Sequence, residues 1–367
     1  MRRVQKACSA RAAHGLLFLV AAFVSTLTLG QQPPPPSEGA AADAIRLAVQ
    51  TVPIPPDPYG AKLSAMVESF PVYQADGRII TEDIVIYGTE STAVLLTEVG
   101  RAWTKMNPES IVTVHQTTTS GDLAALERPD TSFASVARPL TAGELSRLQA
   151  RGSTVHQVPI ARDGVAIYVH VDNPIAGLTR RQCNGIVSAT HSMHPELVLD
   201  WRDLDPNSPL GDQQFPLYML DARSSTMIRI TEWCMPGEPI TTIGTFIEHS
   251  ASSVVNACCA YRTAMGIAST SARQPRARMV PLAVEDGGPF VPPTSLTIAD
   301  GSYPLTRSLN LVFRTPKGGE VPTHFREFLR FLWSEDGQDV VARLKLVPPD
   351  SARIPPQLGS PIDGIWK

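Results

Sequence analysis

The chain has 367 residues, 43% of them hydrophobic and 18% charged, and a formal net charge of −3 at pH 7. This is enough apolar material for more than one core, and it excludes a disordered chain. The mildly acidic balance argues against a nucleic-acid partner, because a sequence-independent grip on phosphates needs a clustered basic face.

Residues 1–30 begin with a positive head, Arg2, Arg3, Lys6 and Arg11, and continue into the apolar run "GLLFLVAAFVSTLTLG", Gly15 to Gly30. This reads as a secretory signal peptide, with an uncleaved membrane anchor as the competing reading. The expected location is therefore secreted or periplasmic, with membrane tethering if the segment stays. Removing it takes four basic residues and no acidic ones, which leaves the remainder at −7. Four of the five cysteines then remain, Cys183, Cys234, Cys258 and Cys259. In an oxidising compartment they could pair in three ways, and a bond between neighbours Cys258 and Cys259 would be strained. The histidines are scattered, and Pro195 interrupts "HSMHPE", so no metal site is expected.

Residues 31–78 contain "QQPPPPSEGAAAD" and "TVPIPPDPYG", proline-rich and without periodicity, and read as a tether. The rest is too long for one simple core and suggests two lobes. From Ile84 onward strand and helix signals alternate. "IVIYG" (Ile84 to Gly88) is a strand followed by a helix to about Lys105; "IVTVHQ" (Ile111 to Gln116) is a strand followed by a helix from Ser120. "TSFASVA" is a third strand, "TAGELSRLQARG" a helix with a glycine stop, and "VHQVPI" and "GVAIYVHV" are strands again. This is the rhythm of a parallel sheet with covering helices.

Three strand-to-helix turns are rich in hydroxyls: "GTEST" (Gly88 to Thr92), "TTTSGD" (Thr117 to Asp122) and "DARSST" (Asp221 to Thr226). In an open parallel sheet the carboxyl ends of the strands are where ligands bind. Helix N-termini there offer unpaired N–H groups and a partial positive charge, and hydroxyls add donors without adding net charge. Serine and threonine are also the preferred N-caps, which is the competing reading for each turn alone. Three together, with Thr117-Thr118-Thr119-Ser120 exceeding what one cap needs, favour an oxyanion. Farther on, "TIADGSYPLTRSLNLVFRTP" (Thr297 to Pro316) places a turn at Asp300-Gly301, then an alternating strand with Pro304 at its start.

Three stretches carry a family resemblance: "IARDGVAIYVHVDNPIAGLTRRQCNGIVS" (Ile160 to Ser188) with "DWRDL" (Asp200 to Leu204), "DGSYPLTRSLNLV", and "FLRFLWSEDGQDVV" (Phe328 to Val341). They resemble the phosphate-binding proteins that serve high-affinity phosphate ABC transporters, over roughly Ile84 to Pro349. The resemblance implies an α/β fold of the type II periplasmic-binding-protein kind, two α/β lobes joined by two crossings with the ligand in the cleft. The implied division is 79–165 and 265–350 in the first lobe, 166–264 in the second, and 351–367 as a tail. It also implies phosphate or a related oxyanion as ligand, a membrane ABC permease as partner, a monomer, and neither cofactor nor catalytic residue. Carried over by position, the anion would meet Thr89 and Ser91, then Ser120 and Gly121, then Ser224 and Ser225.

Two positions depart from the family pattern. Ser224-Ser225-Thr226 replaces a Ser-Gly-Thr, and "SVARPL" (Ser135 to Leu140) stands where many members have Ser-Asp-x-Pro-Leu. Arg138 in that segment is either a forked ligand for oxyanion oxygens or an ion-pair partner of Asp122 or Asp163. Glu90 would accept a phosphate proton if it faced the cleft, and Arg307 would fix its strand near the interlobe region. Two other functions compete with transport. One is an anion sensor or scaffold on the same fold. The other is a secreted phosphatase or esterase using Ser91, Ser120 or Ser225 with His115 or His170, although no Gly-x-Ser-x-Gly elbow occurs.

Overall fold

The computed structural model describes residues 60–75, 77–117, 119–128, 130–150, 152–353 and 355. The expected signal peptide, residues 31–59 of the expected tether, Thr118 and residues 356–367 of the expected tail lie outside the described residues.

Eleven strands are described: β1 (Ile84–Gly88), β2 (Val112–Gln116), β3 (Phe133–Val136), β4 (Ser153–His170), β5 (Leu178–Thr179), β6 (Leu217–Met219), β7 (Thr245–Ile247), β8 (Met265–Ser269), β9 (Ala277–Met279), β10 (Leu282–Ala283) and β11 (Thr306–Pro316). In β1 the burial alternates along the strand, Ile84, Ile86 and Gly88 facing inward, as a strand period of two requires. The long helix Glu90–Met106 follows, and its apolar stripe of Leu95, Leu96, Val99 and Trp103 is buried.

The sheet of the first lobe runs β2-β1-β3-β11-β4, and that of the second runs β4-β8-β6-β7 with β9 also beside β4. Strands β1, β2 and β3 are mutually parallel, but β11 is antiparallel to both β3 and β4. The expected parallel rhythm thus holds for β1, β2 and β3 and fails at β11, which runs against them, and where β4 meets β8 in the second lobe. The two strands expected at "VHQVPI" and "GVAIYVHV" are one 18-residue strand, β4. It pairs with β11 as far as Gly164 and with β8 from Val165 onward, so the sheet changes lobes between those two residues. Gly164 is there for contact reasons: a Cβ would lie 2.9 Å from Thr270 Cγ2 and 3.2 Å from Ile298 Cδ1.

Each lobe has its own buried cluster. Phe133, Phe313, Phe325, Phe328 and Trp103 pack edge-on or tilted in the first, and Trp201, Phe215, Ile167, Met265 and Leu282 lie in the second. Two expected boundaries need correction. Residues 60–78 are not all tether: Gly60–Val67 is a helix, and Leu63, Val67, Phe70 and Tyr73 are buried. The second lobe does not end at 264, because β8, β9 and β10 belong to its sheets and Ile298, Tyr303 and Leu305 to its core. An all-buried strand such as "MGIAS" fits the centre of either sheet, so the sequence alone does not assign it.

Candidate functional site

Two helix N-termini meet here from opposite lobes. After β1, Thr89 takes an extended conformation and opens the helix Glu90–Met106 without a side-chain cap bond. The first N–H groups of that helix are therefore not consumed by its own cap. After β6, Asp221 closes a turn by accepting the Ser224 N–H at 2.9 Å, and Ser224 caps the helix Ser225–Cys234 by accepting the Met227 N–H at 3.2 Å. The hydroxyls of Ser91 and Ser225 are 2.9 Å apart across the junction, and Arg307 Nη1 donates to Ser225 Oγ at 3.2 Å.

Arg307 is held from behind. Its Nε and Nη2 both donate to Asp163 Oδ2, at 3.0 and 2.6 Å, and the two residues are register partners on β11 and β4. Asp163 Oδ1 accepts the hydroxyls of Ser269 and Thr270, each at 2.9 Å. Both charged side chains are 1% exposed, and a pair this deeply buried needs such additional hydrogen bonds to offset desolvation. The carboxylate thereby fixes the fork on one edge while the Nη1 edge points to Ser225.

On the first-lobe side the hydroxyls form a connected set. Thr89 Oγ1 lies 3.1 Å from Ser91 Oγ and 3.4 Å from Thr92 Oγ1, and Thr92 hydrogen-bonds Ser135 beneath Gly88. A Cβ at Gly88 would stand 2.9 Å from Ser135 Oγ and 3.0 Å from Thr92 Oγ1, so only glycine lets this layer close. Thr226 Oγ1 and Thr306 Oγ1 are buried with no hydrogen-bond partner. Each adjoins a residue of the junction, Ser225 or Arg307, and a buried hydroxyl left unpaired calls for a partner.

Burial raises two carboxyls of the first lobe, Glu90 at the junction and Asp122 in the following helix. Burial pushes Glu90 up, opposed by the Arg307 guanidinium and by the backbone N–H of Ala251. Glu90 and Ser91 line a cavity of about 310 Å³ together with Ser250, Ser269 and Ser271 of the second lobe, so Glu90 does face the cleft. Asp122, in the helix Thr119–Ala125, is completely buried with both carboxyl oxygens unpartnered, and burial pushes it up to about 8. Two helix N-termini, a guanidinium and an excess of hydroxyl donors make an environment for an anion of several oxygens.

Of the residues expected at the site, the structure brings Thr89, Ser91 and Ser225 together. Ser224 stands beside them, with its hydroxyl engaged as the cap. Ser120 and Gly121 lie in the first turn of the helix Thr119–Ala125, and the Ser120 side chain is outside the described residues. Arg138 pairs with neither Asp122 nor Asp163: it forms a two-bond fork onto Glu144 at 2.8 and 2.7 Å, because the capping box of the next helix brings Glu144 back to Thr141. It nonetheless lines a small recess with Ser225. Arg307, expected to fix a strand, does so through Asp163 and also reaches the junction. The sequence reading gave Asp163, Ser269 and Thr270 no part in holding Arg307; pairing "ARDG" with "PLTR" as antiparallel neighbours was the signal that would have found the first. The four cysteines carry free thiols, with Cys183, Cys234 and Cys258 buried.

The chain matches the profile of a family described as the PBP superfamily domain over residues 68–336. It is 24% identical over 290 residues to the phosphate-binding protein PstS of Pseudomonas aeruginosa, covering 78% of this chain and 88% of that protein. It is 23% identical over 273 residues to PstS of Staphylococcus epidermidis, covering 72% and 78%. Among solved structures, an ABC-type phosphate transport receptor from Vibrio cholerae superposes with a TM-score of 0.58 at 22% identity, over 72% of this chain and all of that one. A possible phosphate-binding protein from Planctomyces limnophilus gives 0.58 at 20% identity, over 78% and 100%. With a match across most of its folded residues, a sheet that passes through β4 from one α/β lobe to the other and polar groups converging where they meet, the chain belongs to the PBP superfamily domain family.

Proposed function

We propose that the protein is a secreted or periplasmic solute-binding protein that holds phosphate between its lobes and delivers it to the membrane permease of an ABC transporter. The observation that carries this reading is the junction itself: Ser91 from one lobe, Ser225 from the other and Arg307 from the crossing strand meet within hydrogen-bonding distance. The relatives named as phosphate-binding proteins support the choice of anion.

In this reading the Ser91–Ser225 hydrogen bond is exchanged for two bonds to anion oxygens as the hydroxyls rotate. The uncapped N–H groups at Glu90 and Ser91 and those beginning the Ser225–Cys234 helix donate further bonds, and Arg307 supplies the compensating charge. Glu90 accepts the hydrogen that hydrogen phosphate carries and sulfate lacks. Closure turns on the two crossings, at Gly164 and at the start of β11. No bond of the ligand is made or broken.

The test is calorimetric titration of anion-free protein with phosphate and, separately, sulfate. Phosphate is expected to bind more tightly than sulfate, with Ser225→Ala losing at least several-fold in affinity and Glu90→Gln narrowing the gap between the two anions. A folded protein that gives no binding with phosphate overturns the reading.

A further inference from the structure

The junction opens on one side into space far larger than a single phosphate needs. Ser225 lines a recess with Arg138, Arg229 and Glu232, and those last three also line a cavity of about 590 Å³ that includes Arg307. That volume is in the range of sites that enclose whole small molecules. Its walls come from the first lobe, from the Ser225–Cys234 helix and from the crossing strand β11.

The charge of this cavity is unbalanced. Five arginines line it, Arg138, Arg162, Arg229, Arg307 and Arg353, against two carboxylates, Glu232 and Asp350. Three of the arginines have carboxylate partners: Arg138 with Glu144, Arg307 with Asp163 and Arg353 with Asp350. The other two are anchored on neutral oxygens. Arg229 donates to the Pro304 carbonyl at 2.7 Å and the Thr306 carbonyl at 3.3 Å, and Arg162 donates to the Ala299 carbonyl. Carbonyl anchors fix the position of a guanidinium without cancelling its charge, and the carboxylates that act on these two, Glu232 on Arg229 and Asp300 on Arg162, are exposed. Arg229 is half-buried; burial first, and then the neighbouring Arg307 guanidinium, work against its charge, with the exposed Glu232 opposing them, an arrangement that an incoming anion relieves.

Resting on the reading of the junction as a phosphate site, we propose that this cavity receives a second anionic group, and that the preferred cargo is a short condensed phosphate rather than inorganic phosphate alone. One phosphoryl group sits at Ser91, Ser225 and Arg307. The next extends through the recess toward Arg229 and Arg162.

The experiment is calorimetric titration of the full-length, anion-free protein with inorganic phosphate and with inorganic pyrophosphate, repeated on Arg229→Gln and Glu232→Gln. Pyrophosphate is expected to bind at least about tenfold more tightly than phosphate. Arg229→Gln erases most of that advantage while leaving phosphate affinity in place; Glu232→Gln, at an exposed position whose removal does not threaten folding, strengthens pyrophosphate binding. Phosphate binding equal to or tighter than pyrophosphate binding in the unaltered protein, or a pyrophosphate affinity indifferent to both substitutions, overturns the inference and leaves the phosphate reading standing. Binding of neither anion overturns both.

Discussion

The buried carboxyl of Asp122 gives a prediction whose size and sign follow from the structure. Its two oxygens have no partner, and desolvation pushes it up to about 8, against an ordinary value of 3.8. A carboxyl held neutral in the folded state and ionised in the unfolded state works against folding as pH rises. Its stabilising protonated state is fully present below about pH 4 in both states, and stability falls steadily until the folded form also ionises near pH 8. The Asp122→Asn variant is nearly the same shape and does not titrate. Relative to wild type it should therefore gain about 1.4 kcal/mol per pH unit across this window, or about 2 to 3 kcal/mol between pH 5 and pH 7. With a urea dependence of about 3 kcal/mol per molar for a protein of this size, the difference in unfolding midpoints should widen by nearly 1 M. Urea unfolding of both proteins at pH 5, 6 and 7 checks this, and groups common to both cancel in the comparison. A difference that stays constant with pH would refute the reasoning, because it would mean that Asp122 ionises in the folded protein as readily as in the unfolded one.

Arg307→Met leaves Asp163 buried with only the Ser269 and Thr270 hydroxyls, and should cost about 3 to 5 kcal/mol in chemical denaturation. The double variant Arg307→Met, Asp163→Leu should recover much of that stability without recovering anion binding. Gly88→Ala forces a methyl against Ser135 and Thr92, and a loss of about 1 to 3 kcal/mol is expected, read as a lowered Tm. Glu144 is drawn down to about 2, first by the Arg138 fork and then by its bonds at Thr141. As a depressed carboxylate it contributes stability above its ordinary value of 4.5 and loses it as pH falls toward 2. Glu144→Gln should accordingly cost about 1 kcal/mol at pH 7 and progressively less below pH 4, seen in thermal melts across that range.

The local elements were legible because each rests on its own residues. "IVIYG" reads as a strand from its short apolar run and "TAGELSRLQARG" as a helix with a glycine stop, and the structure has the strand Ile84–Gly88 and the helix Ala142–Gln149 there. The three hydroxyl-rich turns were equally visible, since strand-to-helix turns are short and their composition is local. Relations across long separations were not. Ser91 and Ser225 are 134 residues apart, and Asp163 and Arg307 are 144; nothing in either neighbourhood names its partner. Arg138 shows the opposite hazard, for its partner is Glu144, six residues away, and not the more distant Asp122 or Asp163. The helix Gly60–Val67 was hidden by the prolines before it, which set a composition that its own residues do not share.

The place of β11 in the sheet has a consequence for how the chain is made. This strand is the last of the eleven in sequence, yet it lies between β3 and β4 in the first-lobe sheet. The strands of the second-lobe sheet, from the end of β4 to β9, are contiguous in sequence, and that sheet can assemble while synthesis continues. The first lobe cannot: until residues 306–316 emerge from the ribosome, β3 and the first half of β4 present open edges to any other strand. Closing that gap joins residues more than 150 positions apart, such as Phe313 and His156, which makes it a slow, high-contact-order step. A nascent chain stalled before Thr306 would therefore carry one assembled sheet in the second lobe and one half-sheet in the first, in need of protection from aggregation.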